Sequence, residues 1–164
     1  MKKFLKLGVA VFMLAVSSAA LEAKSGKLPK GAAPMVTDDI KKFYAGRSID
    51  WKVAQVFWAE DGKAVGYYPN ATKPDDPAFG EGEWNVVDNE MCFHLAWRGK
   101  DKTKPPFEDT KCHKLYVAGK KIWIENTKDE KQYQGDIWTG QEKKMRPGDI
   151  VSAKVTELKA KFGY

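Results

Sequence analysis

Residues 91–118 read MCFHLAWRGKDKTKPPFEDTKCHKLYVA, and the fold turns on this stretch. Two apolar runs, Met91 to Trp97 and Cys112 to Ala118, flank a polar segment that contains Pro105 and Pro106. The pattern predicts a β-hairpin with a long loop spanning 98–111. The chain's two cysteines, Cys92 and Cys112, fall near the outer ends of that hairpin. Residues that face each other in an antiparallel pair have numbers with a constant sum. With Cys92 opposite Cys112, Ala96 faces Glu108 and the loop closes near Lys102. A disulfide at that position ties the two strands across the ladder.

Alternation of side chains carries the reading further. Met91, Phe93, Leu95 and Trp97 share one face of the first strand, and Cys92, His94 and Ala96 share the other. On the second strand Cys112, Lys114 and Tyr116 oppose His113, Leu115 and Val117. Both histidines thus sit beside both cysteines, a residue set that invites a metal site. Alternation argues against it, because His94 and His113 point to opposite sides of the sheet. The spacing also fits no zinc or haem pattern. No metal and no other cofactor is expected.

Before the hairpin, Met1 to Lys6 is a basic head and Leu7 to Val16 an apolar run, followed by small residues. This is the layout of a cleavable signal peptide over 1–23, with cleavage after Ala20 or Ala23. A membrane anchor is the competing reading, but the run is short against the ~20 residues a span needs. No span is expected after cleavage, and the periplasm is the expected compartment. Cleavage after Ala23 leaves 25 basic against 21 acidic residues, a net charge of +4, against +6 for the whole chain. The charges are mixed along the sequence, which speaks against nucleic acid as a partner. A monomer is expected.

Lys24 to Val36 reads as a flexible lead-in, and 37–164 as a single β-barrel-like domain. Thr37 reads as a helix N-cap, with Asp38 and Asp39 in the first turn and Ile40, Phe43 and Tyr44 on one face. Gly46 reads as the stop. Strand signals then follow at Ser48 to Trp58, Ala64 to Tyr68, Glu83 to Val87, the hairpin, Lys121 to Asn126 and Gln132 to Thr139, with a loop at 69–82. Val151, Val155, Leu158 and Phe162 recur at helical spacing, while Ile150 to Thr156 also fits a strand. The fold class is therefore mainly β. It is an antiparallel up-and-down meander closing into a small barrel, with one short N-terminal helix and a possible C-terminal helix.

No P-loop, nucleophile elbow or H-E-x-x-H is present. The six tryptophans are the more informative signal. Trp51 and Trp58 fall on opposite faces of one predicted strand, which requires a second covering layer or an outer binding patch. Trp51, Trp58, Trp84, Trp97 and Trp123, with Tyr116 and His94, are the candidate ligand-binding residues. Lys100, Lys102, Lys104 and Phe107 on the hairpin loop are candidate partner contacts.

The runs LPKGAAPMVTDDIKKFYAGRSIDWK, GEGEWNVVDNEMCFHLAW and CHKLYVAGKKIWIEN resemble the domain of unknown function 995 family. The matching features are a short helix ending in Tyr-x-Gly, a strand with Trp, a second Gly-x-x-x-Trp leading to a Cys-bearing strand, and a downstream Cys. The resemblance covers Thr37 to about Asn126. It implies small exported proteins of Gram-negative bacteria with a lipocalin-like, β-rich fold, and it brings no catalytic residues.

The leading expectation is a non-enzymatic periplasmic binding module for a small apolar ligand or an envelope component. The alternative is an interaction or inhibitor module acting on an envelope protein. An enzyme would need His94 or His113 to meet a carboxylate across the barrel.

Overall fold

Turns between the predicted strands, and one within the first of them, fold the chain back on itself, so that consecutive strands pair. The computed structural model describes residues 27–129 and 135–164. The predicted signal peptide, and the start of the strand predicted at Gln132 to Thr139, lie outside the described residues. In chain order the elements are β1 (Ala33–Pro34), α1 (Thr37–Tyr44), β2 (Arg47–Asp50), β3 (Gln55–Trp58), β4 (Lys63–Tyr68) and β5 (Ala78–Val87). There follow β6 (Glu90–Arg98), β7 (Phe107–Ala118), β8 (Lys121–Asp129), β9 (Ile137–Thr139), a 3₁₀ turn (Gln141–Lys143), β10 (Met145–Pro147) and α2 (Ser152–Phe162). All strands join one antiparallel sheet, with β2 to β9 in sequence order and β10 beside β2. The sheet curls into a half-barrel.

The hairpin has the register expected of it: Cys92 faces Cys112 and Ala96 faces Glu108. The cysteines form a disulfide across a Cα–Cα distance of 4.1 Å, in keeping with the closer of the two antiparallel pair types. Just past Cys112 the β7–β8 register slips by one residue, leaving Thr127 in a bulge. The Thr127 hydroxyl reaches the Glu90 carboxylate and the Cys112 carbonyl.

Several boundaries differ from those read in the sequence. Ser48 to Trp58 is a hairpin, β2–β3, and not one strand. Its turn is held by Lys52 at φ +68°, by the Lys52 N–H on Asp50 Oδ1 and by the Trp51 N–H on the Ala54 carbonyl. Trp51 therefore leaves the strand and swings to the same side as Trp58. Thr37 does not cap α1. Its hydroxyl donates to the Asp88 carbonyl at 2.8 Å, pinning the helix start to the β5–β6 turn. Part of the lead-in is also tied down, since β1 pairs with Tyr116 and Val117 and Met35 is buried. Loop 69–82 ends early because β5 begins at Ala78, and loop 98–111 shrinks because β7 begins at Phe107. The C-terminal segment is a helix.

Closure comes from the chain and not from a ladder. Strands β9 and β10 are the two sheet edges, and among the described residues no pairing joins them. They are consecutive in sequence, and the 3₁₀ turn bridges the seam. There the Trp51 Nε1–H donates to Gln141 Oε1 at 2.9 Å and the Asp50 N–H to the Lys144 carbonyl at 3.0 Å.

Both faces of the sheet are covered in part. On the concave side, Ile40, Phe43 and Tyr44 of α1 pack on Trp58, Trp84 and Phe93. Trp58 is the hub, with ring centroids 5.7 Å from Tyr44, 6.2 Å from Trp84 and 5.3 Å from Phe93. Burial pushes the Tyr44 hydroxyl pKa far up, so it stays neutral. On the convex side, Val151, Val155 and Leu158 of α2 cover Phe79. Asp149 starts that helix by accepting the Val151 and Ser152 N–H groups. Desolvation raises the Asp149 carboxyl's pKa, but these hydrogen bonds outweigh it and hold the pKa below the ordinary value.

The curl depends on glycine. The Trp97 ring lies over Gly80, its cross-strand partner, and Gly66, the partner of Gly80. A Cβ on Gly66 would sit 2.5 Å from that ring, and one on Gly80 2.9 Å from it. A Cβ on Gly82 would sit 1.8 Å from the His94 carbonyl oxygen, which is backbone. Gly→Ala within a strand ordinarily gains ~0.5–1 kcal/mol. Gly82→Ala should instead lose about 2–4 kcal/mol. Gly99→Ala, whose Cβ meets nothing closer than 3.9 Å, should stay within ~0.5 kcal/mol of wild type in the same urea denaturation series. Replacing both Cys92 and Cys112 by Ser frees a loop with a sequence separation of 20. The variant should lose ~2–4 kcal/mol while its far-ultraviolet circular dichroism keeps the β signature.

Candidate functional site

The face that carries Met91, Phe93, Leu95 and Trp97 is the concave one. Helix α1 fills it around Met91 and Phe93. Beyond Phe93 it is open, and a cavity of about 440 Å³ remains. Three indoles stand in its wall: Trp51 from the β2–β3 turn, Trp97 from β6 and Trp138 from β9. Val56, Phe93 and Leu95 form the apolar floor. His113 is half-buried between Phe93 and Trp138, with centroids at 5.9 Å and 5.5 Å.

Polar groups share this wall. Asp109 and Lys111 lie two apart on β7 and so project from the same face. They form an ion pair at 3.4 Å. Buried Asn126, buried Gln141 and Asp136 complete the lining.

A second cavity, of about 530 Å³, continues from the first. Ala54, Trp97 and Asp109 line both, so the two form one groove with Trp97 and Asp109 at its throat. The outer part is the mouth between loops 69–77 and 99–106, with Tyr68, Lys100, Lys104 and Phe107 at the lip. Phe107 is 52 % exposed and Val53, on the inner rim, 61 %.

The candidate residues read from the sequence divide into three groups. Trp51 and Trp97 line the groove. Trp58 and Trp84 belong to the packed core, and the Trp84 Nε1–H is bonded to the Ala59 carbonyl. Trp123, Tyr116 and His94 lie on the convex face. Tyr116 pairs with Trp123, and its hydroxyl donates to Glu125 Oε2 at 2.9 Å. Desolvation and that carboxylate raise the Tyr116 pKa. His94 Nε2 meets Glu108 Oε2 at 2.7 Å, with both side chains about half exposed. This histidine does meet a carboxylate, but on the face opposite the groove.

Of the loop residues, Lys100 and Lys104 are at the mouth. Lys102 turns away from it. Its ammonium donates to the Gly163 carbonyl and lies 5.1 Å from the centroid of the Tyr164 ring. The Tyr164 hydroxyl in turn donates to the Gly99 carbonyl at 3.3 Å. The end of α2 thereby clasps the lip of the groove. The Thr103 hydroxyl and N–H, with Lys104 nearby, hold the Asp101 carboxyl below its ordinary pKa and brace the same loop.

Sequence reading missed Trp138, Asp109, Lys111, Asn126 and Gln141 as lining residues. Asp109 and Lys111 were findable. They continue the alternation of His113 and Leu115, and only the assignment of 98–111 to a loop hid them.

The described residues contain no helix long and apolar enough to cross a membrane. Fold and groove together define a small half-barrel protein, braced by a disulfide, with one end plugged and the other open. The chain belongs to the family described as protein of unknown function (DUF995), whose model matches residues 10–157. No curated protein and no solved structure matches it.

Replacing Tyr164 by Ala should free the lip without unfolding the sheet. Amides of 100–104 should exchange with solvent several-fold faster, while global stability falls by no more than ~1 kcal/mol. Hydrogen-exchange mass spectrometry reads both.

Proposed function

We propose that this chain is a non-enzymatic binding module of the periplasm, which holds a small ligand or part of an envelope component against the indoles of its groove. The observation that carries this reading is the half-filled concave face. Helix α1 buries one end, while Trp51, Trp97 and Trp138 stand around an open cavity at the other. Its size falls within the ~300–1,000 Å³ of small-molecule sites. A monomer suffices, since one chain supplies the whole groove.

The compartment is supported by the signal-peptide layout of residues 1–23 and by the Cys92–Cys112 disulfide, which suits an oxidising environment. A non-enzymatic role is supported by the position of the His94–Glu108 contact, half-exposed on the far face. The second reading, an interaction or inhibitor module, is favoured by the exposed Phe107 beside Lys100 at the lip. Lys102 is engaged with Gly163 and Tyr164, and this weakens it as a partner contact.

The test uses the neutral apolar probe N-phenyl-1-naphthylamine. Its fluorescence should rise on mixing with the protein, and the tryptophan emission should shift. Val53→Arg places a charge at the exposed rim, where it costs the fold little. It should weaken probe binding at least ~10-fold, about 1.4 kcal/mol, with an unchanged melting temperature. Absence of any probe binding, together with no ligand retained in native mass spectrometry of protein purified from the periplasm, overturns the reading.

A further inference from the structure

The lining of the groove carries more information than its volume. We infer that the groove takes a neutral oligosaccharide, with a sugar ring stacked on Trp97 and hydroxyls bound to Asp109 and Lys111. This deepens the binding reading above and rests on it.

The first observation is the seating of Trp97. One side of its ring packs on Gly66 and Gly80, where even a methyl group would collide. The ring also lines both halves of the groove. A flat indole seated on main chain presents its other side to the groove as an apolar platform. Pyranose rings present flat faces of C–H groups to such platforms.

The second observation is the polarity beside it. The Asp109 carboxylate accepts hydrogen bonds and the Lys111 ammonium donates them, side by side at the throat. A ligand apolar all round would strip water from both and return no hydrogen bond. A hydroxyl both donates and accepts, and so can serve this pair without breaking it. Deeper in, Asn126, Asp136 and Gln141 stand among the aromatic rings. Side-chain amides and carboxylates at the edges of indole faces complement a ring with hydroxyls around its rim.

The third observation is charge. The chain carries +6 overall, yet the groove lining holds four carboxylates against four lysine and arginine side chains. The inner cavity alone has Asp109 and Asp136 against Lys111. Among the described lining residues no cation is in surplus to receive a fatty-acid carboxylate, a phosphate or a uronate. Neutral sugars need no such cation. The open form of the groove, continuous from Trp138 to the lip, suits several linked rings.

The test is titration of the full mature protein with maltotriose, cellotriose and triacetylchitotriose, followed by calorimetry and tryptophan fluorescence. Trigalacturonate is the anionic comparison, and N-phenyl-1-naphthylamine is run alongside. At least one neutral trisaccharide should bind with a Kd below about 1 mM, and trigalacturonate at least 10-fold more weakly. Asp109→Ala should weaken the sugar at least 10-fold and strengthen the naphthylamine, because no carboxylate is then stripped of water. If Asp109→Ala does not fold, Lys111→Met removes the other half of the pair and should act in the same direction. Naphthylamine binding without binding of any neutral trisaccharide overturns the saccharide inference and leaves the groove a binding site. So does tighter binding of trigalacturonate. Failure of every probe overturns the saccharide inference, and with no ligand retained in native mass spectrometry it overturns both readings.

Discussion

The contact of Trp97 with the two strands beside it is the constraint on which this molecule depends. An indole can lie flat on a sheet only where the neighbouring strands have no side chains. Gly80 and Gly66 supply two successive bare positions in line with Trp97. The glycines lower strand propensity on their own account, and the ring restores the packing that they give up. Bare positions also let the curled strands approach closely. At Gly82 the backbone of β6 approaches so closely that no Cβ fits. Curl and platform thus have one origin, and the groove follows from both.

Around that bend the two helices divide the work. Helix α1 brings an aromatic wedge to the concave side, and α2 brings an aliphatic stripe to the convex side over Phe79. This explains why Phe79 and Gly80, adjacent in sequence, are buried under different partners. It also explains the bulky residues on both faces of the strands. One half of the concave face is closed by α1, and the other is left to solvent with its indoles in place.

Much of this was legible in the residues. The Cys92–Cys112 register followed from a single assumption about facing pairs. The assignment of Phe93, Leu95 and Trp97 to one face followed from alternation. The β2–β3 turn was not legible, because Asp50, Trp51, Lys52 and Val53 include neither glycine nor proline. The turn is made by a lysine in the left-handed region and an Asp side chain on its own backbone. The start of β5 was hidden by glycine, since Gly80, which seats Trp97, and Gly82, which lets β6 approach closely, read locally as loop. The split of the concave tryptophans between core and groove was out of reach too, because it is set by where α1 docks, and docking is not a local property.

The seam between β9 and β10 has a mechanical consequence. The half-barrel is a hoop cut once, with its two cut ends joined by a short tether, residues 140–144. Fully extended, a tether of that length spans only ~20 Å. Opening the hoop costs no ladder hydrogen bonds, because none cross the cut among the described residues. What resists it is the Trp51–Gln141 and Asp50–Lys144 bonds, the 3₁₀ turn, and a core in which Met145 and Ile49 on one side of the cut share one cluster with Ile124 on the other. The tether therefore sets a hard stop on any widening of the aperture, and the core shared across the cut acts before it. One of the ties across the cut is thus also a wall of the cavity, since Trp51 and Gln141 both line it.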